Sequence, residues 1–133
     1  KTGSSSFGDV KSNDPHCGYV ETASVYGIIN GHDSTTFGPA DTITREQAMT
    51  MVARAMKITG LGSTLTDTEV NVLLAGYTDG AAISGYARSG IAECIKSGVV
   101  SGRGNRVIDP GEIITRAEAA VIVRQMLKKS NLI

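Results

Sequence analysis

Two arginines stand where helix electrostatics disfavours a cation. Thr44-Arg45-Glu46-Gln47 and Thr115-Arg116-Ala117-Glu118 both have the form of a capping box. In such a box a Thr hydroxyl accepts the N3 backbone N–H, and the N3 side chain reaches back to the cap. Each box therefore puts arginine at N1, where the helix dipole opposes positive charge by roughly 0.3–1 kcal/mol. A local rule broken twice in the same way points to function. A guanidinium fork beside unpaired helix N–H groups is a seat for an anion such as a carboxylate. The structural alternative pairs each arginine with a nearby acid, Asp41 or Glu112, or lays its stem on the adjoining loop. From the residues alone both stay open. Gly31 and Gly102 belong to the same surface, just before the loop that leads to each box. There a missing side chain permits either a positive-φ turn or close approach of a ligand to the backbone.

Other chemistry is poorly served. The pairs His16/His32 and Cys17/Cys94 lack the close spacing of a structural zinc site. His16 beside Cys17 could be drawn as a thiol–imidazole pair, but neighbouring helix residues point in different directions. Asp33 to Asp41 faintly imitates a calcium loop, with glycine sixth and aspartate ninth, yet Phe37 takes a ligand position and Thr44 stands where a bidentate glutamate belongs. No phosphate-loop or nucleophile-elbow motif is present. No metal, no cofactor and no catalysis are expected. Thirteen basic against thirteen acidic side chains in 133 residues exclude a broad nucleic-acid footprint, which needs clustered Lys and Arg. No apolar run approaches the ~20 residues of a membrane span, so membrane insertion is not expected. Lys1–Asp9 is too polar for a signal peptide, so an exported protein would contain this chain as a mature or excised piece.

The elements that must position the arginines are read from a tandem duplication. At a shift of 71, Gly27, Gly31, Pro39, Ile43-Thr44-Arg45, Ala48 and Val52 meet Gly98, Gly102, Pro110, Ile114-Thr115-Arg116, Ala119 and Val123. Phe7-Gly8-Asp9 meets Tyr77-Thr78-Asp79 at a shift of 70. Each copy reads as helix, glycine-bounded loop, helix. Val20, Ala23, Ser24 and Ile28 give the first stripe, with Gly27 as its stop. Ala87, Ile91, Cys94, Ile95 and Val99 give its counterpart, stopped by Gly98. The second helices share an apolar mask, Ala48, Met51, Val52, Ala55, Met56 against Ala119, Ile122, Val123, Met126, Leu127. Between the copies Thr66-x-x-Glu69 is a capping box opening a short helix through Val70, Leu73 and Leu74.

In this order, Phe7–Val10, Gly27-Ile-Ile-Asn-Gly31, Phe37-Gly-Pro39 and Ile43-Thr-Arg-Glu46 resemble an S-layer homology repeat, and Tyr77 through Ile114-Thr-Arg-Ala-Glu118 to Leu127 resembles a second. The resemblance implies repeats over 1–60 and 77–133 with a connector at 61–76. It also implies an all-α pseudo-threefold spindle around a central helix bundle. Its functional implication is non-covalent anchoring of exported proteins to a bacterial wall or S-layer. The partner would be a secondary cell-wall polysaccharide, often carrying a pyruvate ketal whose carboxylate suits the arginines. The family's groove arginine maps onto Arg45 and Arg116, and its groove glycine onto Gly31 and Gly102. The family's early tryptophan is absent. Its slot is Pro15 in copy one and Tyr86 in copy two, so Tyr86 is the candidate aromatic. A protein–protein assembly module without glycan binding is the rival, and a domain spacer a third reading.

Further expectations follow from the repeat. Two-helix units stack with neighbours, about three being needed for stability. The Val20/Ala23/Ile28 and Ile91/Cys94/Ile95 faces are therefore expected to lie bare, driving self-association or retention of an upstream third repeat, of which Lys1-Thr2-Gly3, an echo of Lys57-Ile-Thr-Gly60, would be the tail. Cys17 and Cys94 are expected as separate thiols, since the register brings nothing between them together. Arg45→Ala and Arg116→Ala are expected to weaken binding while leaving stability nearly unchanged.

Overall fold

Gly27 and Gly98 end the first helix of each copy in the same way. In the computed structural model, which describes residues 6–133, both are left-handed, with φ +69° and +73°. Glycine adopts that conformation without a Cβ penalty. The chain folds back past each stop. Ile28 N–H donates to Ala23 O and Val99 N–H to Cys94 O, at 2.9 and 3.0 Å. The helices so ended are α1 (Cys17–Val25) and α4 (Gly85–Lys96). The second helices, α2 (Arg45–Thr59) and α5 (Arg116–Lys129), start at Thr44 and Thr115 with complete capping boxes. The connector helix α3 (Asp67–Ala75) opens on the expected Thr66–Glu69 box. A single 3-10 turn covers Gly80–Ala82. Among the described residues the fold is all-α, with one isolated antiparallel bridge between Thr44 and Ile113. No helix among them is long and apolar enough to cross a membrane. The echo at Lys1-Thr2-Gly3 lies outside the described residues.

The chain divides into two compact units, Lys1–Asp41 and Thr42–Ile133. The boundary falls inside copy one, so that α2 groups with the elements of copy two. The first unit is small. Phe7, Val10, Cys17 and Val20 are buried together, with Ile29 and Phe37 against them, and the Phe7 and Phe37 rings meet at 5.5 Å between centroids. His16 is exposed while Cys17 is buried, so the thiol and imidazole of that neighbouring pair face different surroundings.

The second unit is built on α4, which packs on both α2 and α3. Ala87, Ile91, Ala92 and Cys94 of α4 are wholly buried against Met49, Ala53 and Met56 of α2 and Val70 and Leu74 of α3. Gly90 lets α2 come close: a Cβ there would lie 3.1 Å from Ala53 Cβ. Burial pushes the Cys94 thiol up to about 12, and its Sγ points at Met49 O, 3.5 Å away. Cys94 is thus a small apolar core residue.

Two packing expectations need correction. On α2 the mask is only partly used: Ala48 and Met56 are buried as expected, but Met49 and Ala53 join them while Met51, Val52 and Ala55 are only half-buried. On α5 the mask is barely used, since Ile122 alone is buried and Val123 is 44% exposed. A shared hydrophobic pattern does not fix which neighbour covers it, and of the helices only α2 packs appreciably on α5. The faces expected to be bare are largely covered, with Ala23, Ile28 and Ile95 half-buried. Val20, Ile91 and Cys94 are buried, whereas the apolar side chains left in solvent include Tyr19, Val25, Val121 and Val123.

Candidate functional site

The glycine before each loop is backed by an aromatic, and the loop after it is held by an aspartate, both from the start of the same copy. Gly31 has φ +69°, and a Cβ there would strike Phe7 Cε1 and Thr36 O at 2.6 and 2.7 Å. Gly102 has φ +84°, and a Cβ would lie 2.6 Å from Val107 O and 3.1 Å from Tyr77 Cε1. Asp9 accepts the N–H groups of Phe37 and Gly38 (2.9 and 2.7 Å). Asp79 accepts those of Ile108 and Asp109 (2.9 and 2.8 Å). These amide bonds hold the Asp9 carboxyl below the usual carboxylate range. The aspartate of the Phe/Tyr-x-Asp motif is thus a loop clasp, a role legible in hindsight because a loop whose amides lack strand or helix partners needs an acceptor. Asp33 is likewise engaged by its own loop, accepting from Thr35 and Thr36. Among the described residues no cluster of three or more His, Cys, Asp or Glu side chains could hold a metal ion.

The two arginines meet different surroundings. Arg45 is 3% exposed. Its Nε donates to Ile108 O at 2.7 Å and its Nη1 to a carboxylate oxygen of Glu118, while Nη2 makes no hydrogen bond to a described residue. The acid that pairs with it is therefore neither Asp41 nor Glu112 but a residue 73 positions away. Its own N–H, and that of Glu46, donate to Glu112 O and Pro110 O (2.8 and 3.0 Å). With Gln47 N–H on the Thr44 hydroxyl, the first amides of α2 are all taken. Arg116 is exposed at the start of α5 and forms no ion pair among the described residues.

Arg45 lines a cleft of about 300 Å³ together with Ser101, Gly102, Glu118, Val121 and Gln125. Copy one supplies the arginine, and copy two supplies the glycine turn and the floor of α5. Gly102 and Arg45, two of the residues singled out by sequence, are thus brought together, while Arg116, Gly31 and Tyr86 lie outside this cleft. A charge network closes one side. Arg103 grips Glu118 with Nε and Nη2 (3.0 and 2.8 Å) and reaches Asp109 at 3.4 Å. Those hydrogen bonds from Arg103, helped by the Thr115 cap and Arg45, hold the Glu118 carboxyl down at about 2. Burial pushes the Arg45 guanidinium down, against the pull of Glu118. The cleft thus presents a fixed, desolvated cation beside apolar Val121, an arrangement able to hold an anionic group on a larger polar chain.

Tyr86 is 60% exposed, with its hydroxyl 3.4 Å from Glu46 Oε1. Desolvation, then the Glu46 charge, pushes its phenol up. Glu46 itself is buried and accepts Ser84 N–H and Oγ–H at 3.0 and 2.6 Å, so α2 of one copy supplies the cap for α4 of the next. Sequence reasoning assigned nothing to Glu46, Arg103 or the second task of Glu118. Each acts across 15 residues or more, beyond the reach of a local motif.

An all-α tandem repeat, with glycine turns clasped by Phe/Tyr-x-Asp and Thr-Arg boxes opening the second helices, defines a repeat module with a cleft between its copies. The model of the S-layer homology domain matches residues 6–49 and 76–120, and the chain belongs to that family. Such domains anchor proteins to the bacterial cell wall, and this chain is a module of the wall or S-layer at the cell surface. It is 36% identical over 94% of its length to Exoglucanase XynX of Acetivibrio thermocellus, of which it spans 11%. It is 38% identical over 98% of its length to an Amylopullulanase of Thermoanaerobacterium thermosulfurigenes, of which it spans 7%. An Endoglucanase of Bacillus sp. (strain KSM-635) is 30% identical over 89% of the chain. The chain thus spans about a tenth of the length of these relatives, whose enzyme names describe proteins far larger than the matched segment.

Proposed function

We propose that the module anchors its parent protein by binding a secondary cell-wall polysaccharide, and that a carboxylate on the polymer, of the kind a pyruvate ketal carries, is met by Arg45 beside Gly102. The observation that carries this reading is the buried Arg45 guanidinium, which lines the cleft with Nη2 making no hydrogen bond to a described residue. Arg116, Gly31 and Tyr86 are the corresponding contacts toward further grooves, with repeats over 1–60 and 77–133. The module does no catalysis. The enzyme names of its relatives fit an anchor attached to catalytic parts elsewhere in those chains. Purified wall with and without its accessory polymer tests the reading: capture should depend on the polymer and survive protease treatment of the wall.

The assembly alternative has one observation in its favour, the exposed Val121 and Val123 on α5, 59% and 44% accessible. They could meet a further repeat or a second copy. Capture that survives loss of the polymer but not protease treatment, with a concentration-dependent mass in sedimentation equilibrium, would support it.

A further inference from the structure

The carboxylate of Glu118 is shared by two cations, and the sharing is uneven. Arg103 takes it side-on with two hydrogen bonds, while Arg45 reaches one oxygen through Nη1. The cap does not require that negative charge. Gln47, the counterpart of Glu118 in copy one, makes both capping-box bonds as a neutral amide. A carboxylate offers about four acceptor positions, enough to cap a helix and bind arginines at once. The charge at 118 therefore acts on the arginines.

Arg45 cannot leave. It is buried, with Nε tied to Ile108 O. Arg103 is about one-third exposed and braced on its other side by Asp109. An anion entering the cleft would compete with Glu118 for Arg45 and would be repelled by it, since like charges brought together in a desolvated site oppose binding. Whatever satisfies Glu118 elsewhere reduces that competition.

Resting on the polysaccharide reading, we infer that Arg103 is a positioning residue of this cleft: by holding Glu118 in its fork it keeps the free edge of Arg45 available to a carboxylate of the polymer, without touching that carboxylate. Glu118 is then a built-in competitor that sets how strongly an anion must bind to be retained. The two residues have opposite effects. Loss of Arg103 turns the whole charge of Glu118 onto Arg45 and weakens anion binding. Loss of the Glu118 charge strengthens it.

Pyruvate, used as the anion probe, would be titrated into the folded protein and followed at the Arg45 Nε–H resonance. Purified wall polymer would be measured in parallel by calorimetry. Arg103→Gln should weaken both affinities and Glu118→Gln should raise both, each by roughly tenfold, the scale of one hydrogen bond to a charged group. The double variant should bind at least as well as wild type, because no carboxylate remains to be redirected. A double variant as weak as Arg103→Gln would mean that Arg103 holds the anion itself, and would overturn the inference. So would single variants that leave affinity unchanged. A wild type that binds polymer but not pyruvate would overturn the anion seat and this inference while leaving the anchoring reading intact. A wild type that binds neither would overturn both. Should Glu118→Gln fail to fold, the Arg103 Nε–H resonance of the wild type decides. A pyruvate-induced shift smaller at Arg103 than at Arg45 supports positioning, and one as large or larger overturns it.

Discussion

Ile43-Thr44-Arg45 and Ile114-Thr115-Arg116 are the same three residues at the start of α2 and α5, and their surroundings are opposite. Both threonines cap, and both boxes are complete. Yet Arg45 is buried beneath the loop of copy two, bonded to Ile108 O and paired with Glu118, whereas Arg116 is exposed. The N-terminal amides of α2 are taken by Glu112 O and Pro110 O, contacts that the next copy supplies. The comparison separates what a motif does locally from what its neighbours make of it. The box starts a helix anywhere, but the arginine's role depends on which loop lies over it.

The largest expected effect breaks the comparison directly. Arg45→Ala removes one partner of a buried ion pair, which typically costs 3–5 kcal/mol. Glu118 keeps Arg103 and remains partly exposed, so about 3 kcal/mol is expected. Arg116→Ala should stay within about 0.5 kcal/mol, as exposed substitutions do. Urea unfolding of the two variants measures the gap. Equal and small losses would show that the burial of Arg45 contributes nothing. Nearly unchanged stability thus suits the exposed Arg116 and not the buried, paired Arg45.

Next in size is the glycine turn, where the copies should agree. Gly102→Ala and Gly31→Ala each force a Cβ to within 2.7 Å of a backbone oxygen at positive φ. A loss of about 2 kcal/mol is expected, from strain at a left-handed position plus the clash. Thermal melts would register it. A neutral Gly102→Ala would show that the loop yields, and that this glycine is retained for ligand approach alone.

Smaller again are the caps. Thr44→Ala and Thr115→Ala should each cost about 1 kcal/mol. Matching losses in chemical denaturation would confirm that the boxes are equivalent despite Gln47 in one and Glu118 in the other.

The last effect is confined to acid. The folded Glu118 carboxyl lies at about 2 rather than 4.5. Its depressed value means that its stabilisation is fully present above pH 4.5 and is lost as pH falls through about 2. Glu118→Gln should flatten that part of the stability profile, while Gln47→Glu, which lacks Arg103 and Arg45 as partners, should not steepen it equally. Denaturation midpoints between pH 5 and 2 would show the difference. A wild-type profile already flat across that window would sink the assignment.

Much of this protein follows from local sequence. The helix starts at Thr44, Thr66 and Thr115, the stops at Gly27 and Gly98, and the duplication itself all depend on residues within a turn or two of one another. Backbone geometry and orphan amides are short-range, so their solutions are written nearby. The motif order likewise carries the family resemblance. Tertiary structure alone decided which acid pairs with Arg45, that Glu46 caps Ser84 from another helix, and that Ile91 and Cys94 are covered while Val121 is not. Those outcomes depend on side chains 38 to 73 positions apart in the chain and on which apolar stripe meets which neighbour. Periodicity marks a face as apolar and a box marks a helix as begun, but desolvation and charge pairing are set by whatever the fold brings alongside.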